Sequence, residues 1–459
     1  MSLAKTKLRE CERRLRNLGI KYVRFEQSDY AGVSRSKRVP TQHFARYASK
    51  GLNFIGGILS HDMNSDFVEG TGFAEEGGYA DHLLVPDLDT FHPIPWQKDS
   101  ARVICDVFHL DGKTPVEAAP RMAAKKMLKE LQSATGFEIM SGFEYEFYLK
   151  DAKTMQPLWK DSMVYATLRN EIHNAFSDEA VEAMIQSGVD VINYHSEYGP
   201  GQYEINWAPA WDIAAADHAF LFKTGIKEIA VKHGLMASFM TKPYIDKDAC
   251  GCHIHQSLWK DGRNHMFDPN HEFKLSETAR HWIAGQLLHA PALYAITAPT
   301  INCSKRFRPG VFAPTHINWG VENRTSGIRA IVSGESDTHI ENRFGTSATN
   351  PYLAMAATIA AGLDGILNKV PLPAPTQGST YHNTAQSFPQ LPTSLEGGLA
   401  ALEKDKVIKE ALGPALVQAF TTIKKHEIAK AKKHNPHYGQ PAWNNEVTAW
   451  ETNNLYEFM

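Results

Sequence analysis

The chain is poor in cysteine, with five in 459 residues, at positions 11, 105, 250, 252 and 303. So few thiols, so scattered, exclude a disulfide scaffold and point to free cysteines in a reducing compartment. Cys250-Gly251-Cys252 has a single intervening residue and no second pair follows, which disfavours a zinc site. Long apolar runs are also missing. No stretch approaches the roughly 18 apolar residues of a membrane span, and Met1 to Lys7 holds no apolar signal core. The expected setting is cytoplasmic, with no membrane partner. A net charge of −3 with well-mixed signs supplies no basic field, so no nucleic-acid partner is expected either. Repeats and low-complexity tracts are absent. What remains reads as a soluble, enzyme-sized chain, long enough for about two to three domains.

What the chain does contain centres on Ser141-Gly142-Phe143-Glu144-Tyr145-Glu146-Phe147. In a β-strand, positions two apart share a face, so Glu144 and Glu146 point the same way. Two anions side by side repel and call for a cation, a divalent metal being the simplest. A solvated face over a core of Phe143, Tyr145 and Phe147 is the plainer reading of one Glu-x-Glu. Matching parts elsewhere shift the balance: His195-Ser196-Glu197, Gly201-Gln202-Tyr203-Glu204, His253-Ile254-His255-Gln256-Ser257 and Ile340-Glu341-Asn342-Arg343. Five glutamates and the His253/His255 pair make a ligand set for more than one hard cation, oxygen dominating and imidazole assisting.

Around these motifs the pattern predicts an α+β chain. Residues 3–18 form an amphipathic helix; Tyr22 to Glu26 turns through Asp29 to Gly32 into a second strand, Ser34 to Pro40. A short helix follows at 43–50 and a strand at 54–59. Residues 67–80, glycine-rich and acidic, read as a loop. The expected division is an N-terminal helix (1–18), a small domain (19–105) and a large domain (106–459), the passage between the last two falling within 96–115. Helices are expected from Pro120 to about Gln132, over 218–233, after an N-cap at Ser276 with a break at Pro291, and over 351–367. A strand is expected at 237–240, and the C-terminal third is mostly helical.

Gly142-Phe143-Glu144-Tyr145-Glu146-Phe147, Gly201 to Glu204, His253 to Ser257, Asn323-Arg324 with Arg329, and Asn350-Pro351-Tyr352-Leu353 together resemble the glutamine synthetase superfamily, in order and spacing, from about residue 20 onward. Val23 to Glu26, Gly32 to Lys37, Ala101 to Asp106 and Gly225 to Glu228 are most similar to its lengsin branch. The resemblance implies a β-grasp-like N-terminal domain, a larger catalytic α/β domain around a sheet-lined bifunnel, and a homo-oligomer of stacked rings. It implies that Glu146, Glu197 and Glu204 hold one Mg²⁺ or Mn²⁺ and that Glu144, His253 and Glu341 hold another, with ATP as co-substrate. Arg306 and Arg343 would contact glutamate, Ser257 and Arg329 the nucleotide, and Arg324 the transferring phosphate. Asp62, with Asp66 as rival, would handle the amine from across a subunit boundary. Lys242 falls at a family-like position and is equally readable as a turn lysine.

Departures from the family pattern bear on the substrate. Val311-Phe312-Ala313-Pro314 puts Phe312 where the flap over the ammonium site usually carries a glutamate. Asp248 to Cys252 stands where an asparagine-glycine segment would bind glutamate, and Ser336 stands at a basic nucleotide-side position. Two functions are therefore expected in competition. One is a ligase joining ammonia or another amine to glutamate; the other is a lengsin-type non-catalytic protein with a ring assembly and a cytoskeletal partner.

Overall fold

In the computed structural model, which describes residues 3–161, 163–382 and 387–459, the strands divide between two sheets. The smaller follows from short-range chemistry. Along Tyr22–Ser28, Val23 and Phe25 are fully buried. The chain reverses through Gly32, whose φ of 79° suits a residue without Cβ, while the Asp29 carboxylate accepts from the Val33 amide at 2.9 Å. Ser34–Pro40 then pairs antiparallel with the first strand, Tyr22 opposite Pro40. Ser100–Phe108 pairs with the first strand's other edge in parallel, Tyr22 opposite Ser100.

The strand expected over 54–59 is displaced: it covers Leu52–Ile55, and Gly56–Ser60 coils into a tight helical turn. Two adjacent glycines weaken an extended run. Gly56 also passes so near the carbonyl oxygen of Ala80 that a Cβ there would lie 2.5 Å from it.

The larger sheet is built on Glu138–Asp151, fourteen residues long. Cys252–Lys260 pairs with it, His253 opposite Glu144 and His255 opposite Gly142. Further along the same strand Gln202–Trp207 pairs with it, Glu204 opposite Glu146. His339–Asn342 joins the outer edge of Cys252–Lys260, Glu341 opposite His255, and Val191–Ser196 joins Gln202–Trp207, His195 opposite Glu204. One face of this sheet is core. Phe143, Tyr145 and Phe147 are buried, and Phe147 lies 6.1 Å from Phe222 on the helix Ile213–Lys232. The other face is left to the carboxylates and imidazoles.

Helix signals act locally. Ser276 Oγ accepts from the Ala279 amide and opens Glu277–Leu288, and a new helix, Ala290–Thr297, carries Pro291 in its first turn. Asn350 caps Pro351–Leu367 with its Oδ1 and donates from Nδ2 to Ser28 Oγ and the Asp29 carbonyl, so one side chain starts a helix and anchors it to the small sheet. Buried Arg121 pairs with Asp87, Asp106 and Asp217, again joining the two regions. Among the described residues no helix is long and apolar enough to cross a membrane. All five cysteines are free and buried.

Candidate active site

Strand register gathers two groups of donors on the open face of the larger sheet. In the first, the ligand atoms of Glu144, His255 and Glu341 lie within 4.8 Å of one another. His253 Nδ1 completes it, 3.2 Å from Glu144 and 3.3 Å from Glu341. In the second, those of His195, Glu197 and Glu204 lie within 4.8 Å. Glu146 flanks this group, opposite Glu204 in the sheet, with Oε2 accepting from Gln202 at 2.7 Å.

The two groups differ in electrostatics. In the first, burial works against ionisation, but His255 and His253 hold Glu144 well below the usual carboxylate range, and His253 and Arg343 hold Glu341 at about 2. In the second, burial combined with neighbouring anions pushes Glu146 up to about 7 and Glu197 to about 9. Crowded carboxylates keep protons until a cation replaces them, and this donor set suits a hard divalent ion.

Both groups face a cavity of about 400 Å³, whose wall adds Arg306, Arg324, Arg343, Tyr165, Tyr198 and Phe312. Arg343 pairs with Glu341 and donates to the Phe312 carbonyl at 3.0 Å. Arg306 donates to the Arg343 carbonyl at 3.2 Å. A second cavity, of about 470 Å³, shares Glu144 and is lined by His255, Ser257, Arg329, Ser336, His339, Trp207 and Trp259. Arg329, in the wall of the second cavity, pairs with Glu341 at 3.2 Å and with Glu322 at 2.6 Å. Gly251 explains its own identity. A Cβ there would sit 2.9 Å from Arg306 Nη2, 3.0 Å from Glu146 Oε1 and 3.3 Å from His253 Nε2, so a side chain would fill the point where three functional groups converge.

Asp62 lies elsewhere. Its carboxylate, only 2 % exposed, accepts from the amides of Asn64 and Asp66 and pairs with Lys430 at 2.7 Å. Asp66 pairs with the same lysine. Within its own chain Asp62 holds a turn, and it does not reach the acidic cavity. Lys242 is spent on the carbonyl of Lys247. Conversely, Tyr165, Tyr198 and His339 line the two cavities and His195 joins the second donor group, none of them having been assigned a role from the sequence. For His195 a signal existed: it stands two positions before Glu197.

The sequence profile described as "Glutamine synthetase, catalytic domain" matches residues 117–440. The chain belongs to the glutamine synthetase family. Human lengsin is 35 % identical over 417 residues, 89 % of this chain and 80 % of that protein. Glutamine synthetase of Methanocaldococcus jannaschii is 36 % identical over 423 residues, 89 % of this chain and 91 % of the enzyme. Among solved structures, GmaS in complex with ADP superposes with a TM-score of 0.83 at 30 % identity, covering 96 % of this chain and 98 % of GmaS. The α+β fold, with an N-terminal region beside a glutamine synthetase catalytic fold, is thereby established.

Proposed function

We propose that the protein is an ATP- and divalent-metal-dependent ligase that joins an amine, ammonia or a larger one, to the γ-carboxylate of glutamate. The observation that carries this reading is the convergence of Glu144, Glu146, Glu197, Glu204 and His253 with Arg306, Arg324 and Arg343 on one cavity, which shares Glu144 with a second one lined by Trp207 and Trp259.

The chemistry requires such a site. A glutamate carboxylate oxygen attacks the γ-phosphorus of ATP, ADP departs, and the amine nitrogen then attacks the acyl carbon, expelling phosphate and losing a proton. Several anions must meet, which the family manages with divalent ions that neutralise their charge. Glu146, Glu197 and Glu204 would hold one Mg²⁺ or Mn²⁺, and Glu144, His253 and Glu341 another. Arg306 and Arg343 offer planar donors to the glutamate carboxylates, and Arg324 to the phosphate being transferred. Ser257 and Arg329 line the second cavity, whose volume of about 470 Å³ and apolar Trp207 and Trp259 suit a nucleotide. Asp62 could serve the amine only in the cavity of a neighbouring subunit, in a ring assembly, after release from Lys430.

The competing reading is a lengsin-type protein without turnover, favoured by the identity to human lengsin and by Phe312 in the flap. Keeping several buried carboxylates together costs stability without a cation, which favours the ligase. The test is phosphate release from ATP and Mg²⁺ with glutamate, with and without ammonium or members of an alkylamine and polyamine panel. Release that depends on glutamate and on one amine supports the ligase and identifies its acceptor; no release under any combination overturns it in favour of the structural protein.

A further inference from the structure

One carboxylate, far along the chain, braces the turn that carries Arg306. The arginine is buried, and among the described residues it makes no ion pair; its guanidinium donates only to the Arg343 carbonyl, at 3.2 Å. A buried cation held by one hydrogen bond takes its position from its backbone. That backbone is the tight helical turn Cys303–Arg306, led by Asn302. Asn302 is itself buried and locked to Lys242, accepting from its amide at 2.6 Å and donating to its carbonyl at 3.0 Å. Glu451, on the helix Ala449–Leu455, reaches both ends of the turn. Its Oε1 accepts from Asn302 Nδ2 at 2.9 Å, and its two oxygens lie 2.6 and 2.7 Å from the Nζ of Lys305, the residue before Arg306. Both side chains of this pair are wholly buried, and the Lys305 ammonium also sits 3.5 Å from the centre of the Trp443 ring.

We propose that Glu451 is a positioning residue for glutamate binding, acting through Asn302 and Lys305 to hold the turn from which Arg306 enters the acidic cavity. The inference rests on the reading of Arg306 as a glutamate contact and goes beyond it in giving the helix Ala449–Leu455 a part in affinity. A buried ion pair gains little stability over a well-packed apolar pair. What Glu451 supplies is geometry: fixed hydrogen-bonding ends that join the helix to the turn across 146 positions of sequence. Arg306 needs that constraint, because a guanidinium grips a carboxylate through two parallel bonds and tolerates little displacement. The missing side chain of Gly251 leaves room beside its Nη2, so nothing on that side stops the arginine from swinging. The second cavity takes its lining from other segments and none of it from the turn. Loosening the turn therefore weakens glutamate and spares the nucleotide.

The test is calorimetry on the full-length protein with Mg²⁺, titrating glutamate and, separately, ADP. Glu451→Gln should weaken glutamate by about 10- to 100-fold, the scale of a displacement of about 1 Å at a binding group, while ADP affinity holds. A second variant guards against misfolding: Glu451→Leu combined with Lys305→Met replaces the pair by hydrocarbon of similar volume and leaves no unpaired charge. Its thermal midpoint should stay near that of the wild type, yet glutamate should still bind about tenfold more weakly, because Asn302 has lost its acceptor. Wild-type glutamate affinity in this folded double variant, or parallel losses of glutamate and ADP in Glu451→Gln, overturns the proposal alone, provided that Arg306→Gln loses glutamate. A wild type that takes no glutamate, or an Arg306→Gln that binds it unchanged, overturns the reading beneath it and the proposal with it.

Discussion

Arg343 donates to the main-chain carbonyl of Phe312 at 3.0 Å, across 31 positions of sequence. Its other terminal nitrogen pairs with Glu341, so one guanidinium ties the flap to the acidic wall. Phe312 needs such a hold, because its φ of 52° is a left-handed conformation that costs a non-glycine residue about 1–2 kcal/mol.

Replacing Arg343 by Lys should therefore release the flap. A lysine has a single cationic head and no planar fork to reach both partners. Faster amide exchange is expected over residues 307–314, with at least a tenfold loss of any glutamate-dependent phosphate release. Exchange identical to wild type would mean that the flap is held by something else.

Phe312→Glu isolates the role of the ring. Glutamate pays the same backbone strain as phenylalanine, so any change reports the side chain. Phe312 is half exposed at the cavity mouth, its ring 6.2 Å from that of Tyr198, and these apolar faces suit an alkyl group on the amine. The ratio of kcat/KM for an alkylamine over ammonium should fall by about tenfold or more, the scale of a few lost methylene contacts. A ratio that does not move would take Phe312 out of acceptor choice.

Legibility in the sequence followed the range of the interaction. The period of two in Phe143-Glu144-Tyr145-Glu146-Phe147 announced a strand with a charged and an apolar face, and Ser276, Pro291 and Pro351 marked helix ends because caps act within a turn. Long-range partners were invisible. Nothing near Asp62 announces Lys430, 368 residues away, and nothing near His255 announces His339. The family resemblance supplied part of what local chemistry could not, bringing Glu341 and Arg324 into one list with Glu144. It did not supply His195, whose pairing with Glu204 comes from strand register.

Glycine substitutions should separate packing from propensity. Where the helices Glu277–Leu288 and Pro351–Leu367 touch, a Cβ on Gly285 would lie 2.1 Å from the Ala361 carbonyl oxygen, and one on Gly365 would lie 2.1 Å from that of His281. Backbone cannot step aside, so Gly285→Ala should destabilise by about 1–3 kcal/mol although alanine is the better helix former by about 1 kcal/mol. Gly397, in the helix Leu395–Lys404, meets nothing closer than 3.5 Å, and Gly397→Ala should stabilise. Urea unfolding midpoints moving in opposite directions would confirm the contrast; a shift of the same sign would refute it.

His289 should give stability a dependence on pH. It is buried at the junction of Glu277–Leu288 and Ala290–Thr297, with Nδ1 2.7 Å from Asp405 and Nε2 3.1 Å from Asp364. A neutral imidazole donates only once, so satisfying both carboxylates requires the imidazolium. Burial opposes that charge, yet the two aspartates raise the His289 pKa above its ordinary value. The folded protein thus binds this proton more tightly than the unfolded chain. The clamp's contribution is complete below the unfolded value of about 6.5 and disappears as pH climbs through the higher folded value. Asp405 sets the acid limit: burial works against its charge, but His289 holds its pKa down, so its share is present above about pH 3.8 and lost as pH falls through its lower folded value. His289→Gln keeps a polar side chain but cannot carry the charge. The difference in thermal midpoint between wild type and this variant should be largest near pH 5 to 6 and shrink steadily toward pH 9. A difference constant across that range would show that His289 acts by shape alone.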